Sequence, residues 1–234
     1  TSGFGATPPN DGQRRFIRST DNMLRLLERL KSLCDAQGAR LGLAPHSLRA
    51  VKPESLATIV NALPSLSLGD APIHMHIAEQ VKEVEDCLAW SGKRPMQWLM
   101  ENHAVDARWC LVHSTHLVAE EVALLARSRA VAGLCPTTEA NLGDGIFPAQ
   151  DYLAQNGRFG VGTDSQVSVS PWDELRQLEY AQRLFTRSRN VLHTAETPSV
   201  GRTLFTRAAA GGAQALGIDS GAIAVGKRAD LLGI

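Results

Sequence analysis

The sequence "IHMHIAEQ", from Ile73 to Gln80, decides how the rest of the chain is interpreted. It places His74, His76 and Glu79 close together at the end of an apolar run. Residues two apart share one face of a strand, so both histidines can point the same way. Glu79 follows the strand, on a loop from which a carboxylate can reach a ligand. The stretch alone leaves two interpretations open, a metal or catalytic site and a strand with packed histidines.

The surrounding sequence alternates between short apolar segments and amphipathic segments with helical spacing. Such short, continuously apolar strands are typical of a parallel sheet that is buried on both faces. A βαβα series predicts either a doubly wound sheet or a barrel. The predicted strands are residues 39–47, 72–79, 108–114, 130–138 and 159–165. The predicted helices are residues 19–38, 52–63, 80–90, 95–101, 117–128, 147–157, 171–188 and 199–217.

Polar residues capable of chemistry stand at the ends of four of the predicted strands. They are His46, His76 together with Glu79, His113 and Asp164. In a (β/α)8 barrel the carboxyl ends of all strands converge on one mouth. A doubly wound sheet concentrates its site at a single switch point instead. We therefore predict an α/β fold of the (β/α)8 TIM-barrel type, with these residues around its mouth.

Several motifs resemble those of the amidohydrolase superfamily, in its deaminase branch. They are "HMHIAE" (74–79), "LVHSTHL" (111–117), "GLCPTTEANLGDGIFP" (133–148) and "GVGTDS" (160–165). The narrower runs "PHSLRAV" (45–51) and "TTEANLGDGIF" (137–147) are similar to the formimidoylglutamate deiminases within that branch. The resemblance implies a metal-dependent hydrolase barrel and covers nearly the whole chain.

The resemblance also implies that only the later strands of the barrel are present. In this superfamily an H-x-H motif on the first barrel strand supplies two metal ligands, and it would lie upstream of Thr1. A typical barrel takes about 250 residues by itself. We expect residues 1–217 to form a partial (β/α) barrel with the catalytic strand ends. Residues 218–234 are expected to begin a small C-terminal β-sandwich.

The resemblance assigns roles to four of the strand-end residues. His76 and Asp164 would bind a divalent metal, zinc with iron as the alternative. Asp164 would also accept a proton from the attacking water, and His113 would orient that water. Glu79 would pass a proton to the leaving nitrogen. The implied reaction is hydrolysis of N-formimino-L-glutamate to N-formyl-L-glutamate and ammonia, a step of histidine degradation.

Two further residues are candidates for binding this substrate. Arg49 offers a guanidinium fork that matches the geometry of a carboxylate. The alternative interpretation of Arg49 is a surface arginine on a loop. His46 is expected to hydrogen-bond the substrate at the mouth.

Composition sets limits on the partners of this chain. Lys plus Arg and Asp plus Glu both number 24 in 234 residues, which gives no electrostatic footprint for nucleic acid or an anionic membrane. No apolar run approaches the roughly 20 residues of a membrane helix. The four cysteines are scattered singly, as in a cytoplasmic protein with reduced thiols. We therefore expect a cytoplasmic enzyme with a small-molecule substrate.

Two alternatives to the iminohydrolase interpretation remain open on the sequence. One is an amidohydrolase that deaminates a purine, pterin or thio-adenosine ring, which would not need Arg49. The other is a non-catalytic barrel fragment that lacks the H-x-H metal motif. Because an incomplete barrel leaves unpaired strand edges, we also expect the chain to form homo-oligomers.

Overall fold

The fold is built on a four-stranded parallel sheet. A computed structural model describes residues 3–230. Within this range the strands are β1 (Ile73–Ile77), β2 (Trp109–His113), β3 (Val131–Leu134) and β4 (Arg158–Val161), paired in the order β1-β2-β3-β4. Each strand lies beside the next one in sequence, whereas a doubly wound sheet would reverse direction at a switch point. The sheet is therefore an arc of a barrel, as predicted.

The helices follow the predicted alternation, and several of them begin or end at capping residues. Ser19 accepts a hydrogen bond from the Asn22 amide at the start of α1, and Gly38 ends that helix with a φ of 63°. Pro53 occupies the first turn of α2. The α-helices are α1 (Thr20–Gln37), α2 (Pro53–Ala62), α3 (Val81–Ser91), α4 (Pro95–Asn102), α5 (Ala119–Ser128), α6 (Pro136–Leu142), α7 (Ala149–Ala154), α8 (Pro171–Thr186) and α9 (Val200–Leu216). Short 3₁₀ helices cover Asp11–Phe16 and Pro64–Leu66.

The predicted strand at residues 39–47 is wrong as a regular strand. The segment runs parallel to β1, but it makes only isolated bridges, Leu43 with Ile73 and Ser47 with His76. The two bridged positions are four residues apart along this segment and three residues apart along β1, so the segment carries an extra residue. Pro45 lies inside this bulge, where its missing N–H removes a ladder hydrogen bond.

One strand boundary differs from the sequence prediction, and the predicted C-terminal β unit is only partly described. β3 ends at Leu134 because Pro136 begins α6, so the predicted strand 130–138 was too long. In the tail, residues 218–230 contain no strand. Residues 231–234 lie outside the described range, so the C-terminal β-sandwich stays a prediction. No helix of residues 3–230 is both long enough and apolar enough to cross a membrane.

Helix α9 packs against the sheet, and its last turns lie at one end of the strands. The side chain of Gln214 donates to the carbonyls of Ala107 and Arg129, which precede β2 and β3. The last turns of α9 therefore lie at the amino ends of the strands. The approach is close, because a Cβ on Gly211 would come within 1.9 Å of the Phe159 carbonyl oxygen. The carboxyl ends of the strands lie at the opposite edge of the sheet from the last turns of α9.

Candidate active site

Five of the six predicted site residues form one connected group at the carboxyl end of the sheet. The imidazole rings of His46 and His76 are 4.8 Å apart, and those of His76 and His113 are 5.6 Å apart. The His113 Nε2 atom is 3.8 Å from a Glu79 carboxylate oxygen. The other Glu79 oxygen accepts a hydrogen bond of 2.9 Å from Arg49. Residues at the ends of β1, of β2 and of the bridged segment 39–47 thus meet, as the barrel interpretation required.

The two histidines of "HMH" have different partners. The His76 Nδ1 atom lies 2.7 Å from the backbone carbonyl of His46, and a carbonyl only accepts, so Nδ1 carries the proton. The Nε2 lone pair of His76 is then available as a ligand. His74 instead bonds the backbone carbonyl of Ala215 at the end of α9, at 2.7 Å. His74 is therefore tied to the end of α9, whereas His76 keeps an uncommitted Nε2 atom at the carboxyl end of β1.

Glu79 is held by Arg49 through its carboxylate and by Glu83 through its backbone amide. The guanidinium of Arg49 lies 2.9 Å from Glu79 and 3.8 Å from Glu83, and the three side chains are at most 18% exposed. Glu83 is buried in the first turn of α3 and accepts hydrogen bonds from the backbone amides of Ala78 and Glu79. This arrangement fixes the loop that carries Glu79, in which Ala78 has a φ of 49°. Arg49 is thus an inward-facing residue, and the interpretation as a surface arginine is wrong.

His113 terminates β2 in an unusual backbone conformation among acidic groups. Its φ is 68°, and its side chain is 1% exposed. Its Nδ1 atom lies 3.3 Å from a carboxylate oxygen of the buried Glu139. Burial lowers the pKa of His113, but the hydrogen bond to Glu139 and the charges of Glu79 and Asp164 outweigh it and raise the pKa above its usual value. The neighbouring carboxylates therefore oppose the effect of burial on this ring.

His46 has the opposite electrostatic surroundings. Its Nδ1 atom is 2.8 Å from the Ser47 hydroxyl. Burial, together with the neighbouring His76 and the positive charge of Arg49, lowers the pKa of His46 to about 4. His46 is therefore neutral near pH 7 and can offer a hydrogen bond without adding charge.

Asp164 is the sixth predicted residue, and it stands slightly apart. It lies on an exposed turn after β4 with a φ of 49°, and within residues 3–230 no hydrogen bond engages its carboxylate. Its negative charge nevertheless contributes to the raised pKa of both His113 and Cys135. Asp164 is therefore near the group, with a carboxylate that remains free to bind a ligand.

Comparison with known proteins shows which family the chain belongs to. The model of the amidohydrolase family matches residues 7–234. The chain belongs to the amidohydrolase family. It is 60% identical, over 99% of its length, to a formimidoylglutamate deiminase of Pseudomonas aeruginosa, and it covers 50% of that protein. The chain thus spans about half the length of this curated relative.

Solved structures of amidohydrolases have the same fold. An amidohydrolase from Brucella melitensis is 54% identical to this amidohydrolase chain, with a TM-score of 0.87 over 92% of this chain and 47% of the other. An adenosine deaminase from Xanthomonas campestris is 28% identical, with a TM-score of 0.72 over 81% of this chain and 42% of the other. That second structure has bound zinc.

The residues of this amidohydrolase chain fit a zinc ion in their chemistry. Zinc is bound in proteins by imidazole nitrogen and carboxylate oxygen. The free Nε2 of His76 and the uncommitted carboxylate of Asp164 supply one donor of each type. The carbonyl that holds His76 Nδ1 is the kind of outer partner that fixes the tautomer of a metal-binding histidine.

A second group of possible ligands is better explained by hydrogen bonding. The ligand atoms of His113, Cys135 and Glu139 lie within 4.8 Å of one another. Burial and the charge of Glu139 raise the pKa of the Cys135 thiol, which keeps it protonated. Glu139 already accepts hydrogen bonds from His113 and from the Cys135 amide. The group is therefore a closed hydrogen-bonded cluster.

Sequence reasoning missed three acidic residues around the site of this amidohydrolase. Glu83 and Glu139 are buried in the first turns of α3 and α6. Asp144 is buried nearby, and its Oδ2 atom has no partner within the described residues. Burial, opposed by a hydrogen bond with Gln80, raises the pKa of Asp144. A glutamate in the helical turn directly after a strand was the available signal, because acidic residues stabilise helix amino ends.

Proposed function

We propose that the protein carrying this chain hydrolyses N-formimino-L-glutamate to N-formyl-L-glutamate and ammonia, with zinc as its metal. The observation that carries the proposal is the Glu79–Arg49 pair beside His113. The formimino group is amidine-like and cationic near neutral pH, and the glutamate part of the substrate is anionic. A carboxylate and a guanidinium 2.9 Å apart offer a complementary charge to each end. The similarity to the Pseudomonas aeruginosa deiminase supports the same substrate.

The metal would be held by His76 and Asp164 together with further ligands. Zinc, when bound, lowers the pKa of a coordinated water toward about 7 and so supplies a nucleophile at neutral pH. Asp164 accepts a proton from the attacking water. His113 orients that water and, when protonated, stabilises the negative charge that develops during attack.

Glu79 completes the proton transfer. Water adds to the formimino carbon, and the bond from that carbon to the terminal nitrogen breaks. Glu79 takes the proton that the added hydroxyl group gives up and delivers it to this nitrogen, which departs as ammonia. The remaining carbon–oxygen bond becomes the carbonyl of N-formyl-L-glutamate. Arg49 keeps the Glu79 carboxylate in place for this transfer, since their hydrogen bond is charge-assisted.

Arg49 and His46 bind the substrate in this proposal. The Nε atom of Arg49 is buried without a partner in the described part of the chain, so the guanidinium has donor capacity left for a carboxylate. His46 is neutral and keeps its Nε2 atom for a hydrogen bond, because Nδ1 is engaged by Ser47.

The test uses a hybrid enzyme, in which this chain is completed with the part of the Pseudomonas aeruginosa relative that it does not match. We expect the hybrid enzyme, loaded with zinc, to release ammonia from N-formimino-L-glutamate. A panel containing adenosine and 5′-methylthioadenosine is assayed in parallel. Preference for a purine nucleoside would support the second candidate, a heterocycle deaminase, which the 28% identity to an adenosine deaminase favours. A zinc-loaded, folded hybrid enzyme without either activity would contradict both.

A further inference from the structure

We propose that Glu139 is a positioning residue that fixes the ring orientation and the tautomer of His113. The proposal rests on the function of His113 in the reaction proposed above. The Glu139 carboxylate oxygen lies 3.3 Å from His113 Nδ1, and the two side chains are 5% and 1% exposed. Water cannot compete for either group at this burial.

Glu139 is itself held rigidly, which a positioning role requires. The oxygen that faces His113 also accepts a 3.0 Å hydrogen bond from the backbone amide of Cys135. The amide of Glu139 donates in turn to the Cys135 carbonyl at 2.9 Å. The glutamate therefore folds back onto the β3–α6 turn and cannot follow the imidazole if the ring rotates.

The tautomer follows from the acceptor character of the carboxylate. An ionised carboxylate only accepts, so Nδ1 of His113 must carry a proton in this contact. The opposite tautomer would set a nitrogen lone pair against a buried negative charge, which is unfavourable. With Nδ1 fixed, the Nε2 atom is directed to Glu79, 3.8 Å away, and toward the reacting groups. Glu139 thus sets the direction in which His113 works without touching the substrate.

A merely structural role for Glu139 is the competing explanation, and the chain offers a matched control. Glu174 is also a buried glutamate, and it also anchors the first turn of α6, since it accepts a 2.9 Å hydrogen bond from the Thr137 amide. Glu174 makes no hydrogen bond with His113 in the described residues. If α6 placement were all that mattered, Glu139→Gln and Glu174→Gln would have the same consequences.

The first experiment reads the tautomer directly in the 234-residue chain. The chain is labelled with ¹⁵N-histidine, and the His113 ring nitrogens are assigned by their loss in His113→Asn. We expect the native chain and Glu174→Leu to show a protonated Nδ1. Glu139→Leu removes the acceptor that faces Nδ1, so we expect a shift of the proton toward Nε2. Unchanged ring nitrogens in a folded Glu139→Leu chain would overturn the proposal.

The second experiment measures kinetics in the hybrid enzyme. We expect Glu139→Gln to lower kcat by about 10-fold to 100-fold with little change in KM, because a misplaced catalytic group costs rate and leaves binding intact. Glu139→Asp, which restores the charge, should recover part of kcat, and Glu174→Gln should keep it. Equal losses in Glu139→Gln and Glu174→Gln would overturn the positioning role. The ring-nitrogen measurement does not depend on turnover, so an inactive hybrid enzyme would contradict the proposed function without deciding this inference.

Discussion

Glu79 sits between a cation and an imidazole, and this position defines what its removal should do. Glu79→Gln keeps the shape of the side chain but loses the proton-carrying carboxylate. In the hybrid enzyme we expect zinc to be retained and kcat to fall by about 10²–10⁴-fold, the usual contribution of a general acid or base. Steady-state ammonia release with metal analysis on the same sample measures both. Glu85→Gln, an exposed change on α3, is the control and should behave as the parent. Native-like turnover in Glu79→Gln would remove Glu79 from the mechanism.

In the proposed reaction Arg49 binds a substrate carboxylate and holds Glu79 in place. The first role should appear in KM and the second in kcat. Arg49→Met should raise KM for N-formimino-L-glutamate by about tenfold or more, because a hydrogen bond to a charged group is worth roughly 1.5–3 kcal/mol. For a formimino derivative of a simple alkyl amine, which has no carboxylate, KM should change little. Turnover of both substrates should fall, because Glu79 loses its partner.

The control for that change is another paired arginine far from the site. Arg40 pairs with Asp70 at 2.9 Å, close to Gly217 at the end of α9. Arg40→Met should leave both substrates unaffected. If Arg49→Met raised KM equally for the two substrates, Arg49 would not bind the carboxylates.

The different roles of His74 and His76 show the limit of prediction at the residue scale. The spacing in "HMH" correctly placed both rings on one face of β1. It could not show that Ala215, 141 residues later, would engage His74. Only the resemblance singled out His76. A period in the sequence identifies a face of a strand, whereas the partner on that face comes from the tertiary fold.

Buried first-turn glutamates recur at the level of the βα elements. Glu83 in α3, Glu121 in α5 and Glu139 in α6 accept hydrogen bonds from backbone amides just before their helices, whereas Glu174 in α8 accepts one from Thr137 in α6. The anion is stabilised there by the amino end of the helix. In the first three cases the segment at the mouth is thereby tied to the helix that follows it. An acidic residue in a first helical turn can be recognised from sequence, but the amide that it binds is set by the fold.

Helix ends were more predictable than the segment at residues 39–47. Caps such as Ser19 and Gly38 act on neighbouring residues, so their effect is local and can be read from sequence. Pairing of residues 39–47 with β1 depends on a distant partner and on the bulge at Pro45. Apolar composition predicted a strand there, and the proline limited it to two bridges.

The two adjacent glycines of α9, Gly211 and Gly212, have different packing environments. A Cβ on Gly211 would come within 1.9 Å of the Phe159 carbonyl oxygen, whereas a Cβ on Gly212 meets nothing within 4 Å. Gly212→Ala should stabilise the chain by about 0.5–1 kcal/mol, since glycine weakens a helix interior. Gly211→Ala should destabilise it by roughly 1–3 kcal/mol through forced separation of α9 and β4.

Urea unfolding of the parent and the two variants measures this difference. The pair controls itself, because both changes add the same methyl group to adjacent positions of one helix. Equal shifts of the unfolding midpoint in the two variants would mean that α9 does not pack on β4 as described.

In the whole molecule, the arc of strands determines where the candidate site residues lie. The sequential order of β1 to β4 brings His76, His113 and Asp164 to one rim. The strand-end pattern predicted this convergence correctly, because in parallel strands the carboxyl ends share one edge. The sheet pairing itself, and the contact of Arg49 with Glu79, could not be predicted from the pattern.

Zinc binding and association should depend on the rest of the barrel. A catalytic zinc typically takes three protein ligands, and our assignment supplies two from this chain, His76 and Asp164. In residues 3–230, β1 is bridged on its outer side at only two positions, and β4 has no further strand beside it. Such edges present unpaired N–H and C=O groups to another chain.

We therefore expect the 234-residue chain alone to lose zinc on dialysis and to self-associate, whereas the hybrid enzyme retains about one zinc per chain. Mass-spectrometric metal analysis and light scattering after size-exclusion chromatography measure the two properties on one sample. His76→Ala in the hybrid enzyme should abolish retention, and His74→Gln, which alters only the contact with α9, should preserve it. A monomeric 234-residue chain that holds one zinc tightly, and loses it in His74→Gln, would instead make both histidines of "HMH" metal ligands.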